Sequence, residues 1–523
     1  MTGIGVADAG RLLRHDLRRA GAGALLIPPG VLALGALLVG LAIRSSESSR
    51  ETVVAVVLEA LIPLGAGVAA GSVLAAEQAA ELQVSVPARV ATTVLRRVLL
   101  VLAWTAAWAA VAAAAAYAAG WWRPDGGLAA VELAWLAPAV ALAGIAVAAS
   151  TVSTSAGLPT ALVAGIWFGQ ETRAAWFADH RWAQPLYLFP HSREVVAADQ
   201  LATNRIVLLA MGAAGLAVGW LLLHAEERLV TGTSGRYPGR RWAARRLHRA
   251  IVDQPEGPDA GGDRLRRGAV LLGTARYELR MQLGKRSVWI ASGLLGALFL
   301  WEVLNIRRAP ADPVGTTAQN VAGYALSLNL YAGAVFGCLL ADRLVRDRRL
   351  GVVEVLDATP AGFGIRLAGK YLGTIAACLV PLLAIWVIGL ARLATELPAG
   401  ATFGYGMAAF AVIQLPGLLF VAALALAGPT LLGGPLFRVL FVGYWLWNIL
   451  PAEVVPGPSG TLLTPSGDVA RTGLFGIGGT FTALNHQVAS RADAVASIGL
   501  VLAIAGLVLA ALAARETRLR TAR

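Results

Sequence analysis

From Val98 to Ala119 the chain reads VLLVLAWTAAWAAVAAAAAYAA, without one charged residue, and the pair Arg96-Arg97 stands immediately before it. A helix of this length crosses the hydrocarbon core of a bilayer, about 30 Å thick. A helix satisfies its own backbone hydrogen bonds in lipid, and basic residues at one end mark where the crossing stops. Similar blocks recur outward from this one in both directions. Of 523 residues, 57% are hydrophobic and only 14% charged, with a mean hydropathy of +0.66. Soluble proteins average about 25% charged residues, which excludes a large soluble enzyme. The expected fold class is an all-α polytopic membrane protein.

Hydropathy predicts twelve spans. In the first half they run over 22–43, 53–76, 98–119, 128–150, 154–170 and 205–224. In the second half they run over 288–306, 318–341, 369–391, 402–427, 430–450 and 494–514. Arg11, Arg14, Arg18 and Arg19 precede a first block too long for a signal-peptide core, so that block reads as a retained span. With the N-terminus cytoplasmic, 32 of the 44 basic residues fall on the cytoplasmic side and 12 outside. Cytoplasmic loops are the Lys/Arg-rich ones, so both termini are expected inside, in a bacterial plasma membrane. The net charge of +13 therefore follows topology and is not a nucleic-acid footprint. Among the basic residues only Lys285 and Lys370 are lysine, a skew that fits a GC-rich coding bias.

The domain reading is a first six-span half at 1–227, a cytoplasmic basic linker at 228–275 and a second six-span half at 276–523. The linker region holds YPGRRWAARRLHR followed by DQPEGPDAGGD. Its basic part, with Trp242, Leu247 and Ile251, could lie on an anionic membrane surface; a solvated topology-setting loop fits equally well.

Two cytoplasmic loops repeat each other. Residues 75–100 read AAEQAAELQVSVPARVATTVLRRVLL, and residues 347–373 read DRRLGVVEVLDATPAGFGIRLAGKYLG. Glu81 aligns with Glu354, Pro87 with Pro360 and Arg97 with Lys370, all at an offset of 273. Both loops follow the second span of a six-span half, so the halves read as parallel repeats. Asp16-Leu17-Arg18-Arg19 and Glu278-Leu279-Arg280-Met281 echo each other ahead of each half. Each half also carries a long outside segment before its last span, 171–204 and Pro451 to about Asp493, as short re-entrant or interfacial helices would need. Trp176, Trp182 and Tyr187 suit an aromatic belt there.

Catalytic motifs are absent. Gly364 to Tyr371 approaches a Walker A loop, but Tyr371 replaces the Mg²⁺-binding hydroxyl and no strand precedes it. The six histidines, at 15, 180, 191, 224, 248 and 486, show no metal-ligand spacing. Cys338 and Cys378 both lie in apolar blocks, which excludes a disulfide scaffold or a thiolate zinc site. No enzyme activity and no cofactor are expected in this chain.

The pattern R-x-x-G-x-x-E-x-L-x-A-T-P from Arg348 to Pro360, followed by Gly369-Lys370 at the head of a span, resembles the ABC type-two permease family. The first-half loop keeps Glu81, Ser85, Pro87 and Arg97 but lacks the glycine and the Thr-Pro pair. In that family this loop engages a separate ATPase. The resemblance thus implies ATPase-coupling roles for Glu81, Pro87, Arg97, Arg348, Glu354, Thr359, Pro360 and Lys370. It implies a homodimeric ABC ATPase as partner, with ATP and Mg held there. The fused double length resembles actinobacterial exporters of polyketide antibiotics and other lipophilic drugs, so multidrug efflux of small hydrophobic compounds, in contact with membrane lipid, is the expected role. In the family the second and fifth spans of each half face the pathway, which points to Glu59, Trp167, Asn329 and Asn448.

Two other readings stay open. Gly337 to Asp342-Arg343, followed by Arg346-Asp347-Arg348-Arg349, approaches the loop signature of major facilitator secondary transporters, with one residue too many and the second glycine missing. A membrane-embedded transferase for lipid-linked substrates would need a pair of acidic residues at an interface, and no such pair stands out.

Overall fold

The computed structural model describes residues 22–42, 47–75, 90–123, 127–153, 156–193, 195–224, 260–304, 317–349, 361–450, 455–459, 461–476 and 489–521. All regular structure among them is helical. α1 is Ile27–Ala42. α2 runs through Glu47–Val56, a π-helical turn at Val57–Leu61, and Ile62–Ala75. α3 is Val90–Ala118, α4 Gly127–Val152, α5 Gly157–Glu171 and α6 Leu201–His224. α7 is Ala260–Leu283, α8 Arg286–Leu304, α9 Thr317–Leu340 and α10 Phe363–Leu393. α11 runs through Ala399–Ala409, a second π-helical turn at Phe410–Gln414, and Leu415–Ala427. α12 is Gly434–Trp447 and α13 Arg491–Thr521.

Among the described residues nine helices are long and apolar enough to cross a membrane, and a tenth results if α7 and α8, bent by 68° at their junction, count as one. The chain is thus a multi-pass membrane protein. Two of the twelve expected spans, the fifth and the eleventh, are short helices of 15 and 14 residues. At about 1.5 Å per residue neither covers a 30 Å core. Beyond each, parts of the chain return to the interior: Tyr187, Leu188 and Phe189 after α5, and Val455, Thr464, Ser466 and Asp468 after α12. Irregular backbone at membrane depth is stable only where protein encloses it. Tyr187 therefore belongs to the core, whereas Trp182 is 69% exposed as a belt residue would be. The late part of the expected linker also differs: from Ala260 it is the helix α7, packed along α10.

Burial ranks the helices. The apolar stretch of α2 is entirely buried and that of α9 is 94% buried, whereas α3, α6 and α13 bury less than a third of theirs. α2 and α9 form the centre, and the outer three present Leu, Val and Ala to lipid. Within 1–224, α2 packs on α4 and α5, and α4 on α6. Within 260–521, α9 packs on α11 and α12, and α11 on α13. Contacts between these regions are reciprocal: α5 meets α8 and α9, while α12 meets α1 and α2. Close approach depends on small residues. A Cβ on Gly144 of α4 would collide with the backbone of Gly212 on α6, and a Cβ on Gly333 of α9 would enter the ring of Trp445. Without a hydrophobic force between helices in lipid, such contacts supply much of the association.

Candidate functional site

The centre of the molecule contains one arrangement built twice. In α2 the π-helical turn carries Glu59, which is fully buried. Its carboxylate accepts the backbone N–H of His191 at 3.1 Å, that of Ser192 at 2.7 Å and Arg205 Nη2 at 2.9 Å. His191 and Ser192 belong to the short turn Pro190–Arg193 between α5 and α6, and Arg205 lies in the first turns of α6. One carboxylate on α2 thus ties down the whole segment. Beside it, Trp167 Nε1 on α5 donates to the carbonyl of Ala60 at 2.8 Å.

The counterpart in α9 is Asn329, whose Nδ2 donates to the carbonyls of Ser466 at 2.7 Å and Pro465 at 3.2 Å in the segment between α12 and α13. Trp445 Nε1 on α12 donates to the carbonyl of Leu330 at 2.8 Å, the residue next to Asn329. In each case a tryptophan on the short helix grips the carbonyl beside a buried polar side chain, and that side chain clasps the following segment. Polarity is inverted between the two: Glu59 accepts from N–H groups, and Asn329 donates to carbonyls.

Further hydrogen bonds hold the first segment in place. Gln170 Oε1 accepts the N–H of Leu188 at 2.8 Å, and Asn204 Nδ2 donates to the carbonyl of Tyr187 at 2.8 Å. Arg193 pairs with the buried Glu171. The His191 ring meets Trp122 edge to face, with centroids 5.9 Å apart, which packs the turn against the end of α3. At the junction of α5 and α9, the Tyr331 hydroxyl shares a 2.7 Å hydrogen bond with Thr172 and accepts one from Arg173 Nε at 3.1 Å.

Two amides behave differently. Asn448 closes the end of α12, with Nδ2 donating to the carbonyl of Tyr444 at 2.7 Å, and its Oδ1 is buried without a partner among the described residues. Gln414, in the π-helical turn of α11, is fully buried with neither end of its amide bonded to a described residue.

The second cluster occupies the opposite end of the bundle. There α7, the 342–349 segment, the start of α10, the first turns of α12 and the end of α13 meet through ion pairs. Glu278 pairs with Arg343 and also accepts Gln282 Nε2 at 3.0 Å. Asp342 pairs with Arg438, whose Nε donates to the Cys338 carbonyl at 3.1 Å. Asp347 pairs with Lys370, and Arg348 with Glu516.

Of the coupling residues read from the sequence, Arg348 and Lys370 lie in this charged lattice, and Arg97 is buried in α3. Glu81, Pro87, Glu354, Thr359 and Pro360 lie outside the described residues. The Walker-like stretch from Gly364 is helical throughout, and the Tyr371 hydroxyl donates to the carbonyl of Leu419 at 2.9 Å. The four pathway residues, Glu59, Trp167, Asn329 and Asn448, are all buried, on α2, α5, α9 and at the end of α12. Sequence reasoning missed Arg205, Glu516 and Trp445. Trp445 had a signal, since it and Trp167 sit near the end of corresponding blocks. Arg205 had a weaker one, an arginine just inside an apolar block. Compared with protein-family models, curated proteins and solved structures, the chain matches none.

Proposed function

We propose that this chain is the membrane subunit of an ATP-driven exporter of hydrophobic or amphipathic compounds in a bacterial plasma membrane. In this reading twelve crossings form two parallel six-span repeats, with the short helices α5 and α12 completing their crossings through the segments after them. Both termini and the charged end face the cytoplasm. A separate homodimeric ABC ATPase docks on the paired loops and supplies hydrolysis.

The observation that carries the proposal is the doubled central clasp. Trp167 with Glu59, and Trp445 with Asn329, perform one task in equivalent places, and the cytoplasmic loops repeat at their own fixed offset. A pseudo-symmetric pair of halves is what a homodimeric motor requires of a single chain. The reciprocal contacts of α5 with α8 and α9, and of α12 with α1 and α2, support a path that opens between the halves. The helices that meet there, α5, α9 and α12, are mostly apolar and aromatic, and a path opening between them would suit a hydrophobic cargo. Fixed segments over the outward end of α2 and α9 would act as its outer gate.

A facilitator-type transporter would need no motor, and the two readings separate cleanly. The full chain, tagged and purified from its native host, is expected to carry ATPase activity in a complex of one permease chain and two identical ATPase subunits by native mass spectrometry. The chain alone in liposomes is expected to be inactive. Uptake by the chain alone driven by a proton gradient, or a complex with two permease chains, would overturn the proposal.

A further inference from the structure

The charged end holds more positive than negative charge at one spot. α7 and α8 meet at a 68° bend whose two linking residues are Gly284 and Lys285. Around Lys285 lie the side chains of Arg343 and Arg346 and the carboxylates of Glu278 and Asp342. Both carboxylates are already engaged, Glu278 by Arg343 and Asp342 by Arg438. Among the described residues neither Lys285 nor Arg346 makes an ion pair, and the buried Nε of Arg343 has no acceptor. Four cations thus share two anions.

The setting is the edge of the hydrocarbon region. α8 is apolar from Val288 onward, and Trp289 and Ile290, 50% and 38% exposed, come directly after the bend. Trp289 Nε1 donates to the carbonyl of Leu283 at 2.7 Å, which fixes the indole across the bend. Tyr277, 66% exposed, lies on α7 just before it. Exposed Trp and Tyr next to cations are the chemistry of a lipid headgroup level.

We propose that the bend between α7 and α8 binds the phosphodiester headgroup of an anionic phospholipid, held by Lys285, Arg346 and Arg343, with its acyl chains along Trp289 and Ile290. The bound phosphate supplies the missing counter-charge and locks the orientation of α7, which packs along α10. This site is independent of the transport reading; it needs only that the chain lies in a membrane.

The test is thermal unfolding of the full chain in neutral detergent, with added phosphatidylglycerol, phosphatidylcholine or inorganic phosphate. Phosphatidylglycerol is expected to raise Tm and the other two are not. Lys285→Met and Arg346→Gln are each expected to weaken the phosphatidylglycerol response about fivefold in half-saturating concentration, as loss of about 1 kcal/mol for one basic residue at an anionic surface implies. Lys285→Arg is expected to retain it. Without lipid, Lys285→Met should be at least as stable as the parent, because it removes a desolvated cation; that keeps loss of fold apart from loss of binding. Arg392→Gln, a charge change at the other end of α10, serves as control. Equal stabilisation by inorganic phosphate would assign the site to a free anion. An unchanged lipid response in both variants would remove the site, and so would variants that lose only an acidic protein partner.

Discussion

Glu59 shows what a single side chain does when its partners are counted. An ionisable group in a membrane span is a natural candidate for cargo contact, and hydropathy alone supports that reading. The structure surrounds the fully buried carboxylate with two backbone N–H groups and a guanidinium only 6% exposed. Because the partner is a cation, an isosteric amide is not neutral here. Glu59→Gln leaves Arg205 buried without its anion, and breaking one side of a buried pair costs about 3–5 kcal/mol. We expect a marked fall in Tm for Glu59→Gln in detergent. Much of it should return in the double variant Glu59→Gln, Arg205→Met, where no charge is stranded. A silent Glu59→Gln would mean that the carboxylate is not held by Arg205. The sequence revealed the buried acid and not its partner, because an arginine at the edge of an apolar block reads equally well as a span boundary.

At the scale of the element, the two π-helical turns and the two short helices explain where hydropathy succeeds and where it stops. Long helices such as α3, α4 and α10 are legible because each carries an uninterrupted apolar stretch long enough to cross the core, with its charged residues near the ends. The short helices α5 and α12 are not separable from full spans by composition, since each is as apolar as a full span and only its length sets it apart. A π-helical turn adds one residue to the helical repeat and is common at functional positions; no residue pattern in Val57–Leu61 or Phe410–Gln414 announces it. The tryptophan grips give a direct test of whether the two short helices are equivalent. Trp167→Phe and Trp445→Phe each keep an aromatic side chain but lose the indole donor and some buried volume, at a cost of about 1–3 kcal/mol. Similar falls in Tm for both are expected. A cost at Trp167 with none at Trp445 would break the equivalence on which the repeat rests.

For the whole molecule, the likeness visible in two loops has a counterpart in the buried centre, made by contacts that lie far from those loops in sequence. Length and composition were enough to read a multi-pass membrane protein, and the fixed offset was enough to suggest a doubled organisation. They could not show that Arg348 reaches the end of α13 or that Lys370 meets Asp347, because these pairs join segments distant in the chain. In the proposed function those pairs bear on coupling. The Asp347 and Lys370 side chains are only 23% and 18% exposed, so the pair is mostly buried and breaking it costs more than loss of a surface ion pair. Lys370→Asp places two carboxylates face to face beside the loop that, in the proposed function, engages the motor, so membrane abundance and Tm are measured alongside efflux. We expect efflux, normalised to membrane abundance, to fall severalfold while ATP hydrolysis by the proposed complex continues, because the force of the motor would no longer reach α10. The exchange Asp347→Lys with Lys370→Asp restores the attraction and should restore efflux. Wild-type efflux in the single variant would show that the pair lies off the route between motor and path. Loss of efflux that the exchange fails to repair would assign the role to Lys370 itself, as a direct contact with the ATPase and not as a brace for the 342–349 segment.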